Sequence, residues 1–366
     1  LYSANESSPA AQPSATGANA VAIGENTVAS GANSFAANEA TASGVNAAAF
    51  GDATTLASGD KSFAAGYDAI ASGYASVAMG DNANATGSTA LAIGGGNVTA
   101  SAARTIALGY AASASWDDAV AIGRSTVSSG SGSIALAKSA QATGNNATAI
   151  GSSYASGTAS FAAAITENTS SYGATGANSI AMGYRSKATN TGAQGIGYLA
   201  TASGLYSVSL GGSNGSTASG TNSFAWGTFA SASTTYAVAF GAFANATHVS
   251  AVSIGNAATS NSRGKLTFAN GAADHQTGFN LLRQITADAT AEQMTTNNST
   301  ATTDNGINVQ NNAAFAFSGT IVGKQAATAN CAAWKVEGLI VNNGGTTTLV
   351  NSAVTVLNNA PAWGMA

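Results

Sequence analysis

The residues able to do chemistry in this chain are few and scattered. Asp117-Asp118 is its only acidic doublet. Paired carboxylates can hold a cation or divide acid and base work, but here the pair reads as an exposed turn. His248 has no cysteine or carboxylate close to it in sequence, and His275 adjoins only Asp274. Cys331 is the single cysteine, so no intrachain disulfide can form and no zinc-ligand spacing is visible. Gly195-Ile196-Gly197-Tyr198-Leu199-Ala200 has the letters of a dinucleotide-binding turn, yet such a turn must open a helix. This one falls in phase with a repeat instead. The serines follow the same phase, so neither catalysis, a cofactor nor a resident metal is expected.

The repeat is the organising feature. A unit of apolar, Ala, apolar, Gly recurs as Val21-Ala22-Ile23-Gly24, Leu91-Ala92-Ile93-Gly94, Val120-Ala121-Ile122-Gly123 and Val238-Ala239-Phe240-Gly241. Its fourth position returns about every 14 residues, seventeen times between 24 and 255. Seven residues later comes Ala-Ser-Gly or Ala-Thr-Gly, as at Gly31, Gly73, Gly87 and Gly144. Seven residues hold a short strand and a turn, so fourteen describe one coil of a two-sided parallel β solenoid, and seventeen coils stack to roughly 80 Å. Both sets of glycines are expected where a turn needs positive φ, the first set being Gly24, Gly66, Gly80, Gly94, Gly109, Gly123, Gly183, Gly241 and Gly255. Asn38, Ala137, Ala164 and His248 are the substitutions at such positions. Proline is absent between Pro13 and Pro361, as stacked ladders require.

Composition agrees. Charged residues are 7% of the 366, against about 25% in ordinary domains. With a net charge of −4 and no basic run, nucleic acid is not the expected partner. No apolar run is long enough for a membrane helix, and the first residues lack the basic and apolar regions of a signal peptide. In Val-Ala-Ile the strand period sends Ala to one face and both large groups to the other. A thin coil buries only one face within itself. The second is therefore expected to meet another copy of the chain, giving a homo-oligomer, while the half-unit of Thr27-Val28-Ala29-Ser30 forms a wetter outer sheet.

The pattern Asn-Ser-Φ-Ala-Φ-Gly, seen at Asn178-Ser179-Ile180-Ala181-Met182-Gly183 and Asn222-Ser223-Phe224-Ala225-Trp226-Gly227, resembles the head repeat of trimeric autotransporter adhesins, the YadA-like head. The resemblance covers about 15–262 and implies a left-handed parallel β-roll assembled as a homotrimer. It also implies collagen contact for the Asn-Ser elements, although bonding of turn backbone is enough to explain them.

After Asn261 the repeat stops. Gln276-Thr277-Gly278-Phe279-Asn280-Leu281-Leu282-Arg283, Phe315-Ala316-Phe317-Ser318-Gly319 and Ala333-Trp334-Lys335-Val336 resemble a β-rich domain found near the C-termini of phage tail fibres. Phe315, Phe317 and Ile321 alternate, as do Trp334, Val336 and Ile340, and Asn342-Asn343-Gly344-Gly345 signals a hairpin. The expected organisation is all-β: a lead-in over 1–14, a β-roll over 15–262, a capping transition over 263–302, and an antiparallel, sandwich-like and incomplete domain over 303–366.

Candidate contact residues lie on turns. Tyr67, Tyr110, Tyr184 and Tyr198 each follow the fourth position, and Tyr74 follows the other turn glycine. Their flat apolar faces and polar tips suit sugar rings or protein surfaces, or simply shield the turns. The one 19-residue step contains Glu167, Asn168 and Tyr172 in an extra loop, and solenoid insertions often face a partner. The expected function is that of a trimeric phage tail-fibre protein, a stiff shaft with multivalent contact to a host-surface glycan or protein and attachment to other tail or baseplate proteins. The alternatives are the passenger of a bacterial surface adhesin and a structural filament. Each places the chain outside the cell, on a virion tail or a bacterial surface, without membrane insertion.

Overall fold

A computed structural model describes residues 12–166, 169–271, 276–287, 290–326 and 328–360. Two compact units divide the chain, Leu1–Phe243 and Ala244–Ala366. No helix occurs among the described residues.

In the first unit each coil contributes one longer strand and one shorter strand, beginning Val21–Ile23, Val28–Ala29, Phe35–Ala37, Thr41–Ala42 and continuing to Val238–Phe240. Longer strands stack only on longer ones and shorter on shorter, all parallel. Val21 pairs Phe35 and Ala22 pairs Ala36 in one sheet; Val28 pairs Thr41 and Ala29 pairs Ala42 in the other. This is the solenoid that the 14-residue phase requires. Ser14–Ala15 already joins it, paired with Val28–Ala29.

The core between the two sheets is built of methyl groups. Ala36, Ala64, Ala92 and Ala121 from the longer strands and Ala42, Ala71, Ala100 and Ala142 from the shorter ones are fully buried. Most strands are too short for more than one inward position, and across those positions the sheets are too close for more than Cβ. Val98 and Ile165 are the largest apolar side chains wholly inside. Ile165 sits at the base of the inserted loop, where its N–H donates to Ser153 Oγ at 3.2 Å.

Positive φ does not account for both sets of glycines, contrary to the expectation from sequence. All nine fourth-position glycines named there have φ between +104° and +144°, a region closed to side chains. Asn38, Ala137 and Ala164 fill the same position at φ 66°, 71° and 55°, nearer the left-handed helical well that Asn and Ala can enter. Gly31, Gly73, Gly87 and Gly144 of the second set lack positive φ. They are required because a Cβ would lie 1.8 to 2.4 Å from a carbonyl oxygen of the next coil. The gap holds a backbone bond: Gly73 N–H reaches Ala85 O at 3.3 Å, beside Ser72 N–H at 3.0 Å on the same acceptor.

Each turn tip also carries a left-handed residue, commonly Asn: Asn33, Asn46, Asn82, Asn146, Asn178 and Asn222 have φ of 53° to 58°. Ala75 and Ala111 occupy equivalent tips at φ 51° and 53°. Left-handed alanine costs about 1 kcal/mol relative to glycine. Ala75→Gly and Ala111→Gly are each expected to stabilise the unit by about 0.5–1 kcal/mol, read as a raised denaturation midpoint. Lower midpoints would show that the tips are held by something other than backbone geometry.

The serine of Asn-Ser-Φ-Ala-Φ-Gly is inward-facing. Ser179 Oγ donates to Gly176 O at 2.6 Å, and Ser207, at the same place in a coil that has Tyr206 in place of Asn, donates to Gly204 O at 2.8 Å, whereas the hydroxyls of Ser34 and Ser223 are buried without a partner among the described residues. The asparagines run up one edge: Asn19 Nδ2 donates to Asn33 Oδ1 at 3.1 Å, and Asn33 Nδ2 to Asn46 Oδ1 at 3.2 Å.

In the second unit Val252–Asn256 and Leu266–Asn270 are still parallel, and Gln276–Phe279 then runs antiparallel to the latter, Leu266 opposite Phe279. Reversal removes the template for another parallel coil. A knot at Asn305 follows, 2% exposed: its Nδ2 donates to Asn297 Oδ1, Ser299 Oγ and Thr300 O, while its Oδ1 accepts from Thr302 N–H at 2.6 Å. Asn305→Leu leaves these groups unpaired and should cost about 2–3 kcal/mol, visible as faster amide exchange across 297–305. Unchanged exchange would show that the knot does not order the segment.

Ala313–Lys324, Cys331–Asn343 and Thr346–Ala360 form one antiparallel sheet, with Ile321 opposite Trp334 and the expected hairpin turning at Gly344-Gly345, φ 63° and 88°. Phe315, Phe317, Ile321, Val336 and Ile340 are half-buried, and Trp334 is buried. A sandwich needs a second sheet. Among the described residues there is none, so the domain is a single three-stranded meander.

Candidate functional site

The outward residues of the longer strands make the most extensive special surface of the first unit. Val21 and Ile23, Val77 and Met79, Leu91 and Ile93, Val120 and Ile122, and Val238 and Phe240 stand in two columns over sixteen strands. Rings reinforce the columns: Phe35 and Phe50 stack at 5.2 Å, and Trp226 meets Phe240 edge-on at 4.5 Å. At about 4.8 Å per strand the stripe is about 70 Å long. Its tips are far from buried, Ile122 at 37% and Trp226 at 47%. An apolar band of this extent exceeds what monomers leave in water and marks a contact surface.

The turn tyrosines lie where the phase put them. Tyr67 and Tyr110 are exposed, the latter with its ring against the backbone of Gly96, and Tyr74 on the other edge accepts a hydrogen bond from Lys61 Nζ at 2.6 Å. Tyr67 and Tyr110 are three coils apart and make no common site. Glu167 and Asn168 lie outside the described residues.

The remaining three come together. Tyr184 and Tyr198 stack at 5.1 Å, 14° from parallel. The Arg185 guanidinium sits 5.2 Å from the Tyr184 ring and 5.5 Å from that of Tyr172, and Lys187 Nζ lies 4.9 Å over Tyr172. Coil stacking is the cause: Gly173 pairs with Lys187, so the residue that ends the inserted loop meets the turn of the following coil.

Other aromatic residues were not singled out in sequence. Tyr206, Phe229, Tyr236 and Phe243 are exposed and hold left-handed φ of 54° to 59°, and Phe229 stacks on Phe243 at 5.3 Å. The available signal was a bulky ring at a tip that elsewhere mostly takes small or polar residues, with Phe229 and Phe243 one coil of 14 residues apart. Gly211-Gly212-Ser213-Asn214-Gly215 also spells a Gly-x-Ser-x-Gly elbow. It joins two strands of the roll without a helix, and Ser213 Oγ lies 3.2 Å from Thr228 Oγ1.

Asp117-Asp118 is an exposed turn tied to the coil before it. Arg104 donates to both Asp118 oxygens, at 2.5 and 2.9 Å, and Asp117 Oδ1 accepts from Ala103 N–H. Gly195 takes the inward position of the strand Gln194–Ile196. In the second unit His248 Nε2 lies 3.6 Å from Asp304, which also meets Arg263, and His275 lies outside the described residues. No group of three potential metal ligands occurs among the described residues.

Few titrations bear on stability. Hydrogen bonding from Arg104 holds the Asp118 carboxyl below the usual range, and burial pushes the Lys265 amine down. The depressed acid stabilises above the unfolded value near 3.9 and loses that effect as pH falls through its folded pKa; the depressed amine lets stability rise as it deprotonates, below about 10.4. Between pH 5 and 9 the midpoint of thermal unfolding should move by less than about 3 °C. A steep loss anywhere in that range would contradict this.

Compared with known families, the chain matches the model of the YadA head domain repeat over residues 15–37, 57–83, 71–97, 100–123, 117–136, 138–153, 174–193, 195–214 and 218–244. No curated protein matches it.

Proposed function

The chain belongs to the family of the YadA head domain repeat, and from that premise we propose that it is the shaft of a homotrimeric extracellular fibre that contacts a host surface. Heads of this family form homotrimers and are exposed outside the cell. The observation that carries the proposal is the apolar stripe of the longer strands, which three copies around a common axis would cover. Its mechanism is multivalent: three identical outer faces on one stiff rod turn weak contacts into avidity. The work is adhesion and spacing rather than catalysis.

Two carriers fit such a shaft. The antiparallel meander after residue 312 favours a phage tail fibre, whose other partners are tail or baseplate proteins; the repeat itself favours the passenger of a bacterial surface adhesin. Gold-labelled antibody against the chain, viewed by electron microscopy on the source culture, separates them. Label on virus-like tails supports the first and label on envelopes the second. Label confined to the cell interior contradicts the extracellular fibre.

A further inference from the structure

We propose that the tyrosine–cation cluster beside the inserted loop, Tyr172, Tyr184, Arg185, Lys187 and Tyr198, binds an acidic saccharide, a sugar ring bearing a carboxylate or a sulfate; this deepens the surface-contact function and rests on it. The geometry supplies both halves of such a ligand. A sugar's apolar C–H face stacks on an exposed aromatic ring, and Tyr198 is 45% exposed at the end of its stack. The stack stops there because the next residue in the column, one coil on, is Gly212, which has no side chain. The anionic group meets Lys187 and Arg185, both partly exposed and both held over tyrosine rings at 4.9 to 5.5 Å. A long cation already resting on a ring loses less freedom when it binds.

Charge distribution points the same way. Residues 12–118 carry eight acids against two cations, Lys61 and Arg104. Residues 119–243 carry four cations, Arg124, Lys138, Arg185 and Lys187, against one acid, Glu167. The cluster therefore lies in the cationic half of the first unit, whose other half repels anions. A short acidic glycan fits this pattern, while a long polyanion spanning both halves does not.

The test uses the intact chain, immobilised, with hyaluronan hexasaccharide as the probe with carboxylates alone, chondroitin sulfate hexasaccharide as the probe with carboxylates and sulfates, and maltohexaose as the neutral one. At low salt the acidic probes should bind at least about tenfold more tightly than the neutral one, the preference shrinking at high salt. Both acidic probes carry a carboxylate, so equal binding of the two assigns the anionic group to the carboxylate and tighter binding of chondroitin sulfate assigns it to the added sulfate. Lys187→Gln should weaken acidic binding about fivefold to tenfold with recovery in Lys187→Arg, and Tyr198→Ala should weaken it about tenfold, the unfolding midpoint staying unchanged in all three. Equal binding of acidic and neutral probes, no binding, or variants with unaltered affinity would overturn the proposal. If the chain is trimeric and outside the cell yet ignores acidic probes, the site falls and the fibre stands. A chain that is monomeric or internal removes the fibre whichever sugar binds.

Discussion

Gly80→Val should destroy the local solenoid. At φ +119° no left-handed well is available to a β-branched residue, and a Cβ would stand 1.8 Å from the carbonyl oxygen of Gly94 in the next coil. Neither the turn nor the next coil can yield without breaking ladder bonds such as Gly80 N–H to Ala65 O at 2.8 Å. The expected cost is more than about 4 kcal/mol, the range of exceptional single substitutions. Because each coil touches mainly its neighbours, the damage should interrupt cooperativity, splitting one thermal transition into two. Gly151→Ala is the matched control: φ there is +71° and nothing lies within 4 Å of the added carbon, so about 1 kcal/mol is expected. Similar losses at both positions would show that close coil approach does not hold the stack.

The second large effect concerns assembly. Ile93, Ile122 and Ile150 lie on the stripe, each exposed to nearly the same degree, with their backbones in the ladder and their side chains outside the alanine core. Ile93→Asp, Ile122→Asp and Ile150→Asp together should leave the circular dichroism of the roll intact. In a trimer they would bring nine carboxylates into a dry seam, each costing several kcal/mol. The mass in solution should fall to that of one chain. A variant that stays trimeric would place the seam on another face, and one that unfolds would make the stripe part of the chain's own core.

The coil architecture was legible because every coil repeats the same two demands, an inward alanine and a turn residue, in a fixed phase. Ala92 and Gly94 stand for dozens of positions. The reason for each glycine was less legible. Gly80 and Gly87 look alike in sequence, and both are pressed by the carbonyl of the next coil, a distance that only stacking defines, yet only Gly80 is also required by a positive φ. The left-handed rings at Tyr206 and Phe243 escaped notice because local preference assigns such tips to Asn and Gly. The Tyr172–Lys187 contact follows from the register of Gly173 with Lys187, so the phase contained it once the inserted loop was aligned. His248 and Asp304 are 56 positions apart, the first within the repeat and the second beyond its end, and nothing local in sequence could have paired them.

The most direct test of the account is the mass of the unaltered chain in solution by light scattering. Three times 35.3 kDa is the predicted value, independent of dilution across the micromolar range; a single-chain mass with an intact solenoid would contradict the trimeric fibre, since the apolar stripe would then stand uncovered in water.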